Sequence, residues 1–375
     1  MRIAVVGLAA PFRGGIAHYT ARLCQALAVG HTVVLFGLKK QYPHFLFPGT
    51  SQLDLASSWS PSFPYEQILV PWSPVTWWRS WQRLRAFQPD FILFCCWHPF
   101  FAPAFGTLAR LAFGLGEIPS VILCHNVRPH ESHFWDGLLL RYLYTSGRGF
   151  IVHANVERDR LRVWSGDHPV GVYPHPVYDH FAVSGLEGDR RMIRAQLGLS
   201  ESHVVLFFGY VRAYKGLGVL LDALLDPRLE MAIHLLLVGE FYDDPALYQR
   251  QLKALTAQGR LTLVDRYVAD SEVGRWFMAA DLLVVPYLSA SQSGVVQIAR
   301  AFGLPVIASR VGGLPEVVRH GVDGWLVSPG DGEALMQALK YHFGGGGQRL
   351  EVDSFQVASW EGMVKTIENL VPYLK

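Results

Sequence analysis

Between the apolar runs Val284–Tyr287 and Val306–Ser309 the chain carries LSASQSG, a loop of small polar residues that opens onto a helical stretch. Ser289, Ser291, Gln292, Ser293 and Gly294 set no bulky Cβ in front of their backbone N–H groups, and a helix N-terminus adds a partial positive charge. That chemistry suits phosphate oxygens. Earlier, FFGYVRAYKG puts Arg212 and Lys215 in another strand–helix loop. Two cations on one loop and a helix dipole on the other predict a diphosphate cradle. Gly209, Gly239 and Arg266 fall just after neighbouring apolar runs and belong to the same edge. No Asp-x-Asp occurs in the chain, so a carboxylate-held Mg²⁺ is not indicated and no metal ligand is assigned. In the first half, AAPFRGGIAHY places Gly14 and Gly15 at the mouth of a helix, either a second anion-binding terminus or a plain tight turn. Trp97-His98 follow FILFCC, His125-Asn126 follow SVILC, and Asn155 follows FIVHA. A single histidine near a core is usually a satisfied structural group. Several polar and imidazole groups at strand ends of one sheet point to a ligand, with His125 foremost.

These residues need a scaffold that brings strand ends together. In the first half the apolar runs are RIAVVGL, HTVVLFGL, QILVPW, DFILFCCW, SVILCHN, GFIVHA and VGVYPHP. From about Val204 the pattern restarts with HVVLFFGY, AIHLLLVGE, LTLVDRYV, DLLVVPY, PVIAS and GWLVS. Continuous Val, Ile, Leu and Phe runs separated by helical stretches predict parallel strands buried on both faces. The expectation is an α/β chain of two doubly wound Rossmann-like units facing across a cleft, with ligands beyond the carboxyl ends of the strands. The units are placed at 1–183 and 184–355, joined by a polar stretch carrying Gly185 and Gly188. An amphipathic helix over 356–375 follows.

Composition narrows the class. With 375 residues, 50% of them hydrophobic, two ordinary domains are expected. A net charge of +2 offers no basic footprint for nucleic acid. Gly7 is followed by Leu-Ala-Ala and no acidic residue closes the next strand, so a nicotinamide-binding fingerprint is missing. Cys24, Cys95, Cys96 and Cys124 sit in apolar segments without ligand spacing and read as buried reduced thiols. MRIAVVGLAAP does not read as a signal peptide, and no uncharged run of about 18 residues marks a spanning helix. A cytoplasmic protein is expected, with the inner membrane face as the alternative address.

PFRGGIAHYTARLCQAL, FFGYVRAYKGLGVLLDAL, VGEF, RYVADSEVGRWFMAADLLVVPY and GLPVIASRVGGLPEVVRHGVDGWLVSPGD occur in this order. With these motifs the chain resembles, over essentially its whole length, the retaining GT-B glycosyltransferases of family 4 (glycosyl transferase group 1). The closing Ser359-Trp360 and helix resemble that family's crossover to the first domain. The resemblance implies a first domain for the acceptor and a second for a nucleoside-diphosphate sugar. It implies no cofactor and no strict metal requirement. Carried over by position, Arg212 and Lys215 grip the diphosphate and stabilise its departure. Ser293, Gly294 and Val295 offer N–H groups, and Gly14 and Gly15 close on the phosphates. His125 lies by the transferred sugar as a catalytic residue. The backbone of Arg266, Tyr267 and Val268 reads the base, and Trp97, His98, His125 and Asn126 meet the acceptor. Glu316 reads as a helix-start residue.

The family's two glutamates, separated by seven residues, fall here on Ala290 and Ile298. A subgroup with HNV.PHE and WHPF resembles this chain in that departure, and here Gln297 is expected to bond ribose as a neutral amide. Transfer of a sugar to a saccharide or polyprenyl-linked acceptor, in polysaccharide or glycoconjugate synthesis, is the leading expectation. A non-catalytic nucleotide-sugar-binding subunit and a nucleotide-sugar 2-epimerase are the alternatives. Finally, PWSPVTWWRSWQRLRAF sets Trp77, Trp81 and Leu84 on one helical face and Arg79 and Arg83 on another. Such a helix either packs on its own sheet or lies at a membrane interface, with WHPFFAPAF as an apolar wall for the acceptor.

Overall fold

A computed structural model describes residues 1–43, 51–54, 61–183, 190–199, 203–346 and 357–374. Gly185, Gly188 and the expected boundaries at 184 and 355 lie outside the described residues. The chain divides into two compact units, Met1–His175 with Ala358–Lys375, and Pro176–Val357.

The first unit holds a seven-stranded sheet of β1 (Arg2–Gly7), β2 (Thr32–Leu38), β3 (Tyr65–Leu69), β4 (Phe91–Cys96), β5 (Ser120–Cys124), β6 (Gly149–Val152) and β7 (Val170–Val172). Their order is β3-β2-β1-β4-β5-β6-β7 and every pairing is parallel. Every strand but β3 falls inside an apolar run, because a run with no polar face is stable only where both faces are covered; β3, at the sheet edge, begins two residues before its run and carries Glu66. The last run is shorter than expected: β7 stops at Val172, two residues before Pro174, which has no N–H to continue the ladder.

Sheet order sets the strand ends of β1, β4, β5, β6 and β7 side by side. The residues after them, Trp97, His125, His153 and His175, therefore share one edge. The helix Trp360–Leu370 packs on the helix Gly15–Ala28 and on β7. Its docking is fastened by Ser359 N–H donating to Tyr173 Oη at 3.1 Å and by His31 against Glu368 at 3.0 Å.

The helix Pro74–Phe87 takes the first of its two readings and packs on its own sheet. Trp81 and Leu84 are buried in the first unit's core and Trp77 packs against them. The Trp77 indole N–H donates to the Val70 carbonyl at 3.1 Å, and Arg83 pairs with Glu66. The face expected at a membrane is thus the face that covers the sheet, since a tryptophan stripe is satisfied by any apolar cover. The apolar wall of WHPFFAPAF is likewise turned inward. Trp97 and Phe101 are buried with ring centroids 4.1 Å apart.

The second unit holds β8 (His203–Phe208), β9 (Ile233–Val238), β10 (Leu261–Val264), β11 (Leu282–Val285), β12 (Val306–Ser309) and β13 (Gly324–Val327). The order is β10-β9-β8-β11-β12-β13, again all parallel. β10 ends at Val264, and Asp265 instead accepts the Phe241 N–H at 3.1 Å. Arg266 to Val268 are thereby freed as a loop.

The turn after β12 packs directly on the small-residue loop. Gly313 N–H donates to the Ser291 carbonyl at 2.9 Å. Gly312 has φ +51°, and a Cβ there would overlap the Ala290 carbonyl. Gly321 has a similar φ of +76° but open space around it. Gly321→Ala is expected to cost about 1 kcal/mol from backbone strain alone. Gly312→Ala should cost about 3 kcal/mol or more, because backbone must move as well. Denaturant unfolding of both variants checks this, and equal losses would refute the packing argument.

Candidate functional site

In the first unit, the strand-end residues gather around Tyr19. This fully buried ring lies 4.5 Å from His125, 5.0 Å from His175, 5.1 Å from Trp360 and 5.2 Å from His153, centroid to centroid. His125 and His153 are 5.6 Å apart, His153 and His175 5.4 Å. The backbone N–H of His125 donates to the Cys96 carbonyl at 2.8 Å. The side-chain amide of Asn126 donates to the Trp97 carbonyl at 3.1 Å. The ends of β4 and β5 are thus tied together. Buried Glu157 holds the next step of the loop, its carboxylate accepting the Val127 N–H at 3.1 Å and pairing with Arg160 at 2.6 Å.

Burial, reinforced by His153 and His175, pushes His125 well below the usual imidazole range. Burial takes His153 down to about 4, and its Nδ1 donates to the Tyr173 carbonyl at 3.0 Å. These rings are therefore neutral near pH 7. Nε2 of His125 is buried and meets no hydrogen-bond partner among the described residues. A neutral ring with one open nitrogen can bond a hydroxyl without adding charge. Among the described residues no group of three or more His, Cys, Asp or Glu is placed to hold a metal ion. Gly14 caps the helix Gly15–Ala28 with φ +101°, and a Cβ at Gly15 would meet nothing within 4 Å.

In the second unit, the loops after β8, β9 and β11 meet. The extension beyond β8 continues as Val211 N–H to Glu240 carbonyl at 2.9 Å, and Leu288 N–H donates to the Tyr214 carbonyl at 2.7 Å. Gly239 lies against the Gly209 carbonyl so closely that a Cβ would overlap it. Lys215 ends a short turn, Ala213–Lys215, and is buried. Its ammonium lies 5.8 Å from the Tyr287 ring centroid, and a Cβ on Gly209 would stand 3.3 Å from it. The Arg212 guanidinium lies 5.1 Å from the Tyr242 ring. Burial first, and then the Arg212 charge, lower Lys215 to about 7. A desolvated lysine beside an arginine is poised for an anion.

The helix Gly294–Ala301 begins at Ser293, whose hydroxyl accepts the Val296 N–H at 3.4 Å and bonds the Tyr287 side chain. Gln297 on this helix is almost wholly buried, and neither its amide oxygen nor its amide nitrogen has a partner among the described residues. An orphaned buried amide is costly and implies a missing polar partner. Ser291 is buried in the same loop. Ala290 and Ile298, at the glutamate positions, are buried apolar residues. Arg266 is spent on Glu272 at 2.6 Å and on the Tyr267 carbonyl at 3.2 Å, so its guanidinium is already engaged within the unit. Glu316 stands in the first turn of the helix Leu314–Val317.

The structure thus gathers His125, Asn126 and Trp97 in one unit. In the other it gathers Arg212, Lys215, Gly209 and Gly239, and by a second loop Ser293, Gly294 and Gln297. Tyr19, His153 and His175 escape a motif reading. Only the strand-end position of HA and PHP signals the two histidines.

Residues 202–343 match the family model described as Glycosyl transferases group 1, and residues 13–180 match Glycosyltransferase Family 4. The chain is 34% identical over 198 residues to the D-inositol 3-phosphate glycosyltransferase of Streptomyces griseus, covering 50% of this chain and 40% of that one. It is 31% identical over 236 residues to the protein of that name from Streptomyces coelicolor, covering 60% and 49%. The matches span less than half the length of these curated relatives. In fold, the chain is similar to sucrose-phosphate synthase from Thermosynechococcus elongatus, with a TM-score of 0.72, 21% identity and 100% and 98% coverage. It is also similar to Anabaena HepE in complex with UDP-glucose, at a TM-score of 0.71, 18% identity and 98% and 99% coverage. The two-unit parallel α/β architecture is the GT-B fold.

The Lys215 geometry sets a pH dependence. The folded chain holds the proton more weakly than the unfolded chain, so the buried charge destabilises fully below about pH 7. The penalty then falls away as pH rises from about 7 toward the ordinary lysine range. Lys215→Met is therefore expected to stabilise the ligand-free protein at pH 6 by roughly 2–4 kcal/mol, and by clearly less at pH 10. Denaturant midpoints at the two pH values check it. A gain that is the same at both would mean Lys215 is not desolvated.

Proposed function

We propose that this chain, which belongs to the family 4 glycosyltransferases of group 1, moves a sugar from a nucleoside diphosphate to a saccharide or lipid-linked hydroxyl with retention of configuration. The observation that carries the reading is the buried Lys215 beside Arg212, in a loop that meets the loops after β9 and β11. A nucleoside diphosphate leaves with growing negative charge on its terminal phosphate. Two preorganised cations and the N–H groups at Ser293, Gly294 and Val295 stabilise that charge most where solvent is excluded. Neutralisation falls to these groups, and no cation held by carboxylates is needed.

In the retaining step the anomeric carbon–oxygen bond to the diphosphate breaks, and the acceptor oxygen bonds to the same carbon from the same face. The acceptor's proton passes to the departing phosphate oxygen. No protein carboxylate has to take it, which agrees with Ala290 and Ile298 at the glutamate positions. His125, neutral by burial, is assigned a hydrogen bond to the sugar through Nε2. Gln297 is assigned the ribose hydroxyls. Tyr267 and Val268 are assigned the base through their backbone, and His98 and Asn126 the acceptor side, with Trp97 packed beneath them in the core. Support from neighbours is limited to fold and donor class: one solved relative of this fold carries UDP-glucose.

A second reading has its own observation. The two buried apolar residues at the glutamate positions fit a nucleotide-sugar-binding subunit without turnover.

Nucleotide release from UDP-, GDP- and ADP-sugars, with and without short-chain polyprenyl-linked saccharides, separates the two. One donor is expected to be turned over, and Arg212→Ala to lose about 100-fold or more in kcat/KM. A thermal shift without release favours the binding subunit. Neither shift nor release with any nucleotide sinks both. Gln297→Leu is expected to raise the unfolding midpoint of the empty protein, by relieving the orphaned amide, while weakening nucleotide binding about tenfold. A midpoint that falls together with affinity would make Gln297 merely structural.

A further inference from the structure

His125 is assigned the sugar, yet no polar group aims its ring. The tie from its backbone N–H to the Cys96 carbonyl fixes the main chain and leaves the imidazole to turn about its own side-chain bonds. A histidine that meets substrate is commonly oriented by a carboxylate or carbonyl on its second ring nitrogen. His153 has such a tie, through Nδ1 to the Tyr173 carbonyl at 3.0 Å. Nothing of that kind holds the His125 ring among the described residues.

Tyr19 holds it by packing. The two rings stand at 87° with centroids 4.5 Å apart, the close end of the range for perpendicular pairs. In a close-packed core a perpendicular neighbour that near leaves an imidazole one plane to lie in. His153, at 5.6 Å, stands further off. Tyr19 is in turn hemmed in by His153, His175 and Trp360. His175 is the last residue before the chain leaves this unit. Trp360 opens the helix Trp360–Leu370, just after the chain returns at Ala358. One ring therefore meets the strand-end imidazole, the point of departure and the returning helix.

We propose that Tyr19 is a positioning residue for the transfer: its ring, backed by Trp360, sets the plane in which His125 presents Nε2 to the sugar. Tyr19 is assigned no contact with substrate and acts through His125. Its effect on turnover rests on the sugar contact assigned to His125, whereas its effect on the ring does not. The same packing keeps water from the imidazole, and burial is the first cause of the lowering of His125. Removing the Tyr19 ring should let His125 titrate at higher pH, with His153 and His175 still opposing its charge.

The test joins side-chain ¹⁵N NMR of the nucleotide-free chain, labelled at histidine, with steady-state kinetics on the donor that is turned over. Wild type is expected to show a single neutral His125 tautomer down to about pH 6. Tyr19→Phe keeps the ring and should stay within about twofold of wild type in kcat. Tyr19→Leu should lower kcat about tenfold, with the donor KM nearly unchanged. It should also mix the His125 tautomers and raise the pH at which they titrate. Trp360→Leu, at a half-buried position, should act in the same direction by about threefold. Phe91→Leu, a like cut in a fully buried ring at the far end of β4, should destabilise the chain without moving kcat or the His125 signals. The proposal fails if Tyr19→Leu keeps the wild-type His125 signals or the wild-type kcat, or if Phe91→Leu moves them equally. A loss in Tyr19→Phe as large as in Tyr19→Leu would hand the role to the hydroxyl and overturn the packing argument. Should Tyr19→Leu not fold, Trp360→Leu carries the same readouts. A wild type that turns over no donor refutes the donor reading, and the His125 signals then decide Tyr19 by themselves.

Discussion

Backbone packed directly on backbone, with no Cβ between, is the constraint on which the second unit's ligand edge depends. Gly239 rests on the Gly209 carbonyl and Gly312 on the Ala290 carbonyl. Each contact brings one loop within hydrogen-bonding distance of the next, as Gly313 to Ser291 shows. A side chain at either glycine would push the loops apart before it touched a ligand. The run of small residues in LSASQSG has the same cause: the turn after β12 needs a thin partner.

Burial then acts on both units with opposite chemical results. It lowers a lysine, which keeps its charge only at a cost and gains when an anion arrives. It also lowers histidines, which give up their charge altogether. One unit therefore offers a buried lysine beside an arginine, and the other offers neutral hydrogen-bonding rings. For phosphate and sugar hydroxyls those are the appropriate partners. The cations of the second unit are not balanced by carboxylates at positions 290 and 298. Their pull on an anion is undiminished by Ala290 and Ile298.

Helix Pro74–Phe87 and helix Asp136–Tyr144 show how a pattern differs from an environment. The first has the stronger tryptophan stripe, yet Trp81 and Leu84 cover the sheet. The second reads as an ordinary amphipathic helix, yet it leaves Leu138 in solvent. Periodicity tells which residues share a face. It does not tell what lies opposite that face.

Much of the fold was legible because parallel strands have no polar side to disguise them. Twelve of the thirteen described strands fall in the apolar runs and β3 begins two residues before its run, and the residues just beyond the strands were identifiable as strand-end groups from connectivity alone. Arg212, Lys215 and the helix start at Ser293 were legible for the same reason, since cations and small residues at a strand–helix junction have few other uses. Tertiary structure alone decided the rest. It decided that Tyr19 gathers three histidines from strand ends as distant as His125 and His175. It decided that Arg266 is neutralised by Glu272, that Gln297 is buried without a partner, and that Lys215 loses its water. Each of these depends on the distance between groups far apart in the chain, and desolvation is a property of what surrounds a residue. Residue type and local spacing carry neither.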